Sequence, residues 1–135
     1  MTTTEPLVQG VDFVSVPTDD FEASVYFYGE VLGLPCIDRY GAKPGAEFQA
    51  GNLTLAVMES KAFGQEFRPN AMPIALRVAD VEAARKRLEA VGVTFIAQYD
   101  SGECHQAIFL DPAGNPLDLH HRYAPPKPGG DRAGG

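Results

Sequence analysis

The sequence predicts an α+β fold in which a strand–helix–three-strand unit occurs twice in tandem. Two segments have the apolar spacing of amphipathic helices. One strand-like run precedes each segment and three follow it. The pattern recurs at a shift of about 60 residues, and a unit of that length cannot close a core by itself.

The first helix is predicted within residues 19–33, because apolar side chains recur there every three or four residues. These are Phe21, Val25, Tyr28 and Leu32. Asp19 and Glu22 have the spacing of a capping box. Gly33 stands where a left-handed C-terminal cap is expected.

The second helix is predicted within residues 79–92 on the same grounds. Its apolar stripe consists of Val81, Ala84, Leu88 and Val91. Asp80 is the expected N-cap, and Gly92 is expected to end the helix. Both helices are therefore predicted to bury one face.

Eight strand-like runs surround the helices. The first half contains Val8–Val16, Pro35–Tyr40, Ala46–Ala50 and Leu53–Met58. The second half contains Ile74–Val78, Val93–Tyr99, Cys104–Leu110 and Pro116–Arg122. A shift of 60 residues matches Asp20 to Asp80 and Glu22 to Glu82. These matches indicate a duplicated unit.

Composition restricts the function classes. The chain has 135 residues, which suits one domain with its own core. A formal net charge of −7 and the lack of any Lys/Arg-rich run argue against nucleic-acid binding. No stretch approaches the ~20 apolar residues of a membrane helix, so we expect no membrane partner. The two cysteines form no CxxC pair, and the N-terminus does not resemble a signal peptide, so we expect a cytoplasmic protein.

We expect residues 8–122 to form a single domain, with one repeat at 8–59 and the other at 73–122. Residues 60–72 lack a clean period and are interpreted as the linker between them. Residues 1–7 are predicted to be a flexible N-terminus. Residues 123–135 are predicted to be a disordered tail, because Pro, Gly and charged residues dominate them.

Three strings resemble the vicinal oxygen chelate superfamily, the glyoxalase/bleomycin-resistance/dioxygenase group. They are FYGEVLGL (27–34), DVEAARKRLEAVGV (80–93) and DPAGNPLDLH (111–120). The resemblance implies that each unit packs its helix outside a curled mixed sheet. It further implies that the two sheets form a cup for a small-molecule ligand, often with a metal at its base. Members with one pair of repeats commonly pair two chains, so the resemblance also implies a homodimer.

The family's metal ligands, transferred position by position, are mostly missing from this chain. The first-strand ligands fall at Phe13 and Pro73, whose side chains have no suitable lone pair. The carboxylate of the last strand corresponds to Asp118, and its first-half counterpart is Thr54 or Ala56. One aspartate does not make a divalent metal site. We therefore expect no cofactor.

Strand parity predicts the side chains that face the cup, because alternate residues of a strand lie on opposite faces. Placing the valines of the first strand under its helix leaves Phe13 and Ser15 in the cup. If the DPAGN turn pairs Leu110 with Leu117, then Phe109 lies opposite Asp118. The predicted ligand-binding residues are Phe13, Ser15, Glu47, Arg77, His105, Phe109, Asp118 and His120.

Three functions remain open from the sequence, the last of which is a regulatory or interaction module whose cup is vestigial. The first is a small-molecule-binding protein of the glyoxalase/bleomycin-resistance type that needs no metal. The alternative is an enzyme, a lyase, isomerase or dioxygenase-like protein. It would use a relocated metal, or His105 or His120 as general base with Arg77 as electrophilic partner. The candidate ligands of the relocated metal are Glu47, His105, Asp118 and His120.

Overall fold

The computed structural model describes residues 5–125 and confirms the predicted fold class. The chain divides into two compact units between Pro69 and Asn70, and each unit is built on a four-stranded sheet. The division falls inside the predicted linker, where Ser60–Phe63 form a 3-10 turn. Residues 1–4 of the predicted N-terminus and 126–135 of the predicted tail lie outside the described residues.

The first sheet has the strand order β1-β4-β3-β2. Its strands are β1 (Val14–Thr18), β2 (Cys36–Arg39), β3 (Gly45–Ala50) and β4 (Leu53–Glu59). β1 pairs with β4 in parallel and the other pairs are antiparallel, so the sheet is mixed. The first strand begins at Val14 and not at the predicted Val8. Val14 lies opposite Leu55, so a strand that began at Val8 would run well past Leu53, where its partner begins.

The first helix differs from its prediction at its N-cap and in its last turn, while Gly33 follows it in the predicted left-handed conformation. α1 spans Phe21–Tyr26 and continues as a π-helical turn at Phe27–Val31. Its N-cap is Asp20, whose Oδ1 accepts from the Ala23 N–H at 3.2 Å, and not Asp19. The wider π turn changes the helical spacing, and Phe27, outside the predicted stripe, is buried along with Tyr28.

The second sheet has the matching order β5-β8-β7-β6. Its strands are β5 (Ile74–Arg77), β6 (Phe95–Asp100), β7 (Cys104–Leu110) and β8 (Pro116–Arg122). α2 spans Val81–Glu89, and the Asp80 side chain accepts from the Ala83 N–H as predicted. Val91 lies beyond the end of α2 and is 64% exposed, so its predicted place in the buried stripe was wrong.

Each helix covers one face of its own sheet. In the first unit, Tyr28 of the π turn packs on Phe48 of β3, with their ring centroids 6.0 Å apart. In the second unit, the Arg85 guanidinium of α2 lies 5.5 Å from the ring centroid of Phe95. Phe95 pairs with the buried Phe109. We call the face opposite the helix the open face of each sheet.

The turn between β7 and β8 sets a register that differs by one residue from the prediction. All five residues 111–115 belong to the turn, which is closed by the Asn115 N–H donating to Asp111 Oδ1 at 2.8 Å. Leu110 therefore pairs with Pro116 and not with Leu117. A proline is tolerated as the first residue of a strand, where its missing N–H interrupts little of the ladder. Phe109 consequently lies opposite Leu117, and Asp118 lies opposite Ile108.

Candidate functional site

The open face of the second sheet carries two cross-strand rows of side chains. The first row centres on Asp118, with Ala75 on one side and Ile108 on the other. The second row runs across all four strands and consists of Arg77, His120, Gln106 and Tyr99. Parity therefore placed Arg77, Asp118 and His120 on one face correctly. That they bind a ligand stays a prediction.

Phe109 and His105 do not share that face, and their predicted place beside Asp118 was wrong. Phe109 is fully buried on the helix-covered face, with its ring centroid 5.1 Å from that of Phe95. His105 lies on the same face of β7 as Phe109 and pairs with His121. A register shift of one residue moves every side chain of a strand to the opposite face, so the predicted positions of both residues were wrong for the same reason.

His105 instead lines a cavity of about 450 Å³ beside the start of α2. Its Nε2 lies 3.6 Å from Asp100 Oδ2, and its ring centroid lies 4.5 Å from that of Tyr123. The Gly102 N–H and the Tyr123 hydroxyl both donate to Asp100 and hold the pKa of that carboxyl below its usual value. The cavity is lined by Asp80, Val81, Glu82, Gln98, Tyr99, Asp100, His105 and Gln106.

Asp118 is the unusual group of the open face. The residue is only 4% exposed, and within residues 5–125 its Oδ1 atom has no hydrogen-bond partner. Burial raises the pKa of the Asp118 carboxyl, and the charge of His120 and the Ala107 N–H offset this only in part. A buried acceptor without a donor costs free energy. Asp118 Oδ1 therefore lacks a hydrogen-bond donor among the described residues.

A second unsatisfied group lies on the same face of β8. Arg122 is four residues beyond Asp118, and in the described part of the chain its buried Nε has no hydrogen-bond partner. Its terminal nitrogens contact Glu103 Oε1 at 3.5 Å and donate to the Pro125 carbonyl at 3.2 Å. Asp118 Oδ1 and Arg122 Nε are thus a buried acceptor and a buried donor, on the same face of β8, that have no partner among residues 5–125.

The open face of the first sheet is already internally bonded. Glu47 lies between Ala56 and Asp38, and its Oε2 accepts from the Tyr40 hydroxyl. Burial and that hydrogen bond raise the pKa of Tyr40 to about 12. The Tyr40 ring packs over Gly45, where a Cβ would clash with it.

The remaining predicted residues of the first unit occupy the same region. Thr54, the other candidate counterpart of Asp118, pairs with Gln49 and donates its hydroxyl to Gln49 Oε1 at 2.8 Å. Ser15 lies beside Ala56 on the open face, and Phe13 precedes β1 with 48% of its surface exposed. That Phe13, Ser15 and Glu47 contact a ligand stays a prediction.

The residues present do not fit the metal that the fold family implies. The pair Ala75–Asp118 of the second sheet corresponds to Ser15–Ala56 of the first, so the counterpart of Asp118 is an alanine. The relocated set also fails, because His105 lies on the opposite face from Asp118 and His120. Among residues 5–125, no three His, Cys, Asp or Glu side chains are grouped to hold a metal ion.

Sequence comparison assigns the family. The family model of the Glyoxalase/Bleomycin resistance protein/Dioxygenase superfamily matches residues 10–119. Glutathione transferase FosA of Serratia marcescens is 32% identical over 118 residues, which cover 84% of this chain and 82% of FosA. The chain therefore belongs to the glyoxalase/bleomycin resistance protein/dioxygenase superfamily, which confirms the resemblance seen in its motifs.

Solved structures share the fold. Lactoylglutathione lyase from Agrobacterium tumefaciens matches with a TM-score of 0.71 at 18% identity and covers 85% of this chain and 95% of its own. TnmS3, an antibiotic binding protein from Streptomyces sp. CB03234, matches with a TM-score of 0.73 at 24% identity and covers 87% and 99% respectively. In the described residues no helix is long and apolar enough to cross a membrane.

Proposed function

We propose that the protein binds a small molecule on the open face of its second sheet and does so without the family's usual metal. One observation carries this proposal. Asp118 stands where the family places a metal-binding carboxylate, yet it is buried with an unsatisfied Oδ1, and its structural counterpart is Ala56. An unsatisfied buried acceptor favours a ligand that brings its own hydrogen-bond donor.

The neighbouring residues suit a partly apolar ligand. Ala75 and Ile108 flank Asp118 and offer apolar surface, while Arg77 and His120 in the next row offer hydrogen-bond donors. Small-molecule sites commonly combine an apolar lining with a few placed polar groups. TnmS3, which shares the fold, is an antibiotic binding protein, and this agrees with a binding role for the scaffold.

A fragment screen by nuclear magnetic resonance tests the proposal. The ¹⁵N-labelled protein is dialysed against EDTA and titrated with small polar fragments. We expect binding fragments to shift the amide signals of β5 and β8 around Ala75, Arg77, Asp118 and His120. Arg77→Gln should weaken the binding of these fragments. Arg87→Gln, which removes the same charge from an exposed position on α2, should leave their binding unchanged. Binding only after metal is added, or only around the His105 cavity, would contradict the proposal.

An enzymatic function is the second candidate, because Arg77 and His120 are register partners on the same face. A histidine beside a permanently charged arginine is an arrangement suited to general base catalysis with electrophilic assistance. FosA, a relative with 32% identity, is a glutathione transferase. His105, the other candidate base, lies on the opposite face from Arg77.

The two neighbouring histidines of β8 make a matched test of this alternative. Glutathione consumption is measured with a generic electrophile, 1-chloro-2,4-dinitrobenzene. An enzyme of this kind should lose at least tenfold in rate in His120→Gln and keep its rate in His121→Gln, whose side chain lies on the other face. The binding proposal instead predicts no rate above the uncatalysed reaction in any of the three proteins.

A further inference from the structure

The open face of the second sheet is bipolar along β8. At one end Asp118 supplies a buried carboxylate between the apolar side chains of Ala75 and Ile108. At the other end lie His120, its register partner Arg77, and Arg122. Side chains two and four residues along a strand are separated by about 7 and 13 Å.

The unsatisfied atoms follow the same order along β8, with an acceptor at the Asp118 end and a donor at the Arg122 end. Asp118 Oδ1 is an acceptor that needs a donor, and Arg122 Nε is a donor that needs an acceptor. Arg77 is exposed, and its guanidinium is always charged and suited to carboxylates. A cation placed at Asp118 would relieve the cost of burying that carboxylate. An anion placed at the Arg77 end would meet the guanidinium of Arg77 and the imidazole of His120, while Arg122 beyond them already contacts Glu103.

We infer that this face takes a zwitterionic small molecule, with a primary amine seated on Asp118 and a carboxylate seated among Arg77, His120 and Arg122. The inference rests on the proposed function and specifies the chemistry of its ligand. Orientation follows from charge complementarity, since the reversed ligand would place like charges together. The chain between the two charged groups would cover the apolar surface of Ile108.

A probe series of constant chain length tests the inference. The probes are 5-aminopentanoate, which carries both charges, and three companions that each lack one feature: pentanoate, pentylamine and 5-hydroxypentanoate. Dissociation constants are measured from amide shifts of the ¹⁵N-labelled protein. We expect 5-aminopentanoate to bind at least tenfold more tightly than each companion, because it alone satisfies both ends with charge.

Charge-matched variants assign each end. Asp118→Asn should make 5-aminopentanoate bind no more tightly than pentanoate, and it should leave the dissociation constant of pentanoate unchanged. Arg77→Gln should abolish the advantage over pentylamine. Glu82→Gln and Arg87→Gln remove equal charges from α2 and should preserve both advantages. Should Asp118→Asn fail to fold, Arg77→Gln decides alone, since Arg77 is exposed.

The outcomes separate this inference from the proposed function. If fragments shift the amide signals of the open face but the four probes bind equally, the inference of a zwitterionic ligand is wrong and the proposed binding function stands. A hydroxyl probe as tight as the amine probe would also overturn the inference. If no fragment of any kind shifts these amides, the proposed function fails and the inference fails with it.

Discussion

Two aspartates of the second unit show how local contacts set opposite electrostatic behaviour. Asp118 is buried, which raises the pKa of its carboxyl above the usual 3.8. Asp100 is exposed and accepts from the Gly102 N–H and the Tyr123 hydroxyl, which lower the pKa of its carboxyl. Folding therefore favours the protonated form of one group and the ionised form of the other.

This difference predicts opposite pH dependences of stability. The native state binds the Asp118 proton more tightly than the unfolded chain, so the free energy of unfolding falls as the pH rises above 3.8 through the raised pKa. Asp118→Asn should remove this loss and raise the free energy of unfolding at neutral pH, relative to wild type, by about 1 kcal/mol. Urea denaturation measured across the pH range checks it.

Asp100→Asn is the control with the opposite sign. Wild type gains stability as the pH rises through the lowered pKa of Asp100 towards 3.8, and the variant should lack that gain. An Asp118→Asn protein that loses stability relative to wild type as the pH rises would contradict the buried, unsatisfied position of Asp118.

At the residue scale, the sequence was sufficient to place Arg77, Asp118 and His120 on one face, because β5 and β8 keep simple alternation. The sequence was insufficient to place Phe109 and His105, because the face on which they lie depends on where the DPAGN turn ends. That end is fixed by the Asn115 N–H donating to Asp111 Oδ1 and by the backbone pair Asp111–Asn115. Alternation along one strand does not contain this information.

At the scale of elements, the two helix starts follow one capping rule. Asp20 and Asp80 each accept from the N–H three residues later, at 3.2 and 3.0 Å. The sequence pattern predicted the second cap and misplaced the first, because Asp19 and Asp20 are adjacent and both are cap formers. The π turn after α1, in which Phe27 and Tyr28 are buried, was not predicted, since a stripe of apolar residues at α-helical spacing does not specify a π turn.

The adjacent aspartates provide a matched test of the first cap. Asp20→Ala should lower the free energy of unfolding by about 1 kcal/mol, because the Ala23 N–H loses its acceptor. Asp19→Ala, which removes the same charge one residue earlier, should change it by less than about 0.5 kcal/mol. Chemical denaturation gives both values, and equal losses would contradict the assignment of Asp20 as the cap.

At the scale of the whole molecule, the duplicated order of strands and helices could be read from the sequence because it repeats. Each sheet has the same strand order, and each helix covers the corresponding face. Association between chains could not be predicted in this way, because it depends on surface residues that the repeated pattern does not specify. The homodimer implied by the family resemblance stays a prediction.

Light scattering tests that prediction. We expect a mass of about twice 14.5 kDa at micromolar concentration, because pairing two chains would cover the exposed edges of the sheets. β2 and β6 are the edge strands on the sides away from the parallel pairs. A mass near 14.5 kDa over the whole concentration range would contradict the dimer.

Elemental analysis tests most directly whether the protein uses its family's scaffold without its family's metal. Protein purified without added metal is dialysed and analysed for Zn, Ni, Fe and Mn by mass spectrometry. Phe13, Pro73 and Ala56 stand at three of the four positions to which the family resemblance assigns metal ligands, and none of their side chains can coordinate a metal. We therefore predict well under one equivalent of any of these metals per chain. A near-stoichiometric amount of one metal that survives dialysis would contradict the claim.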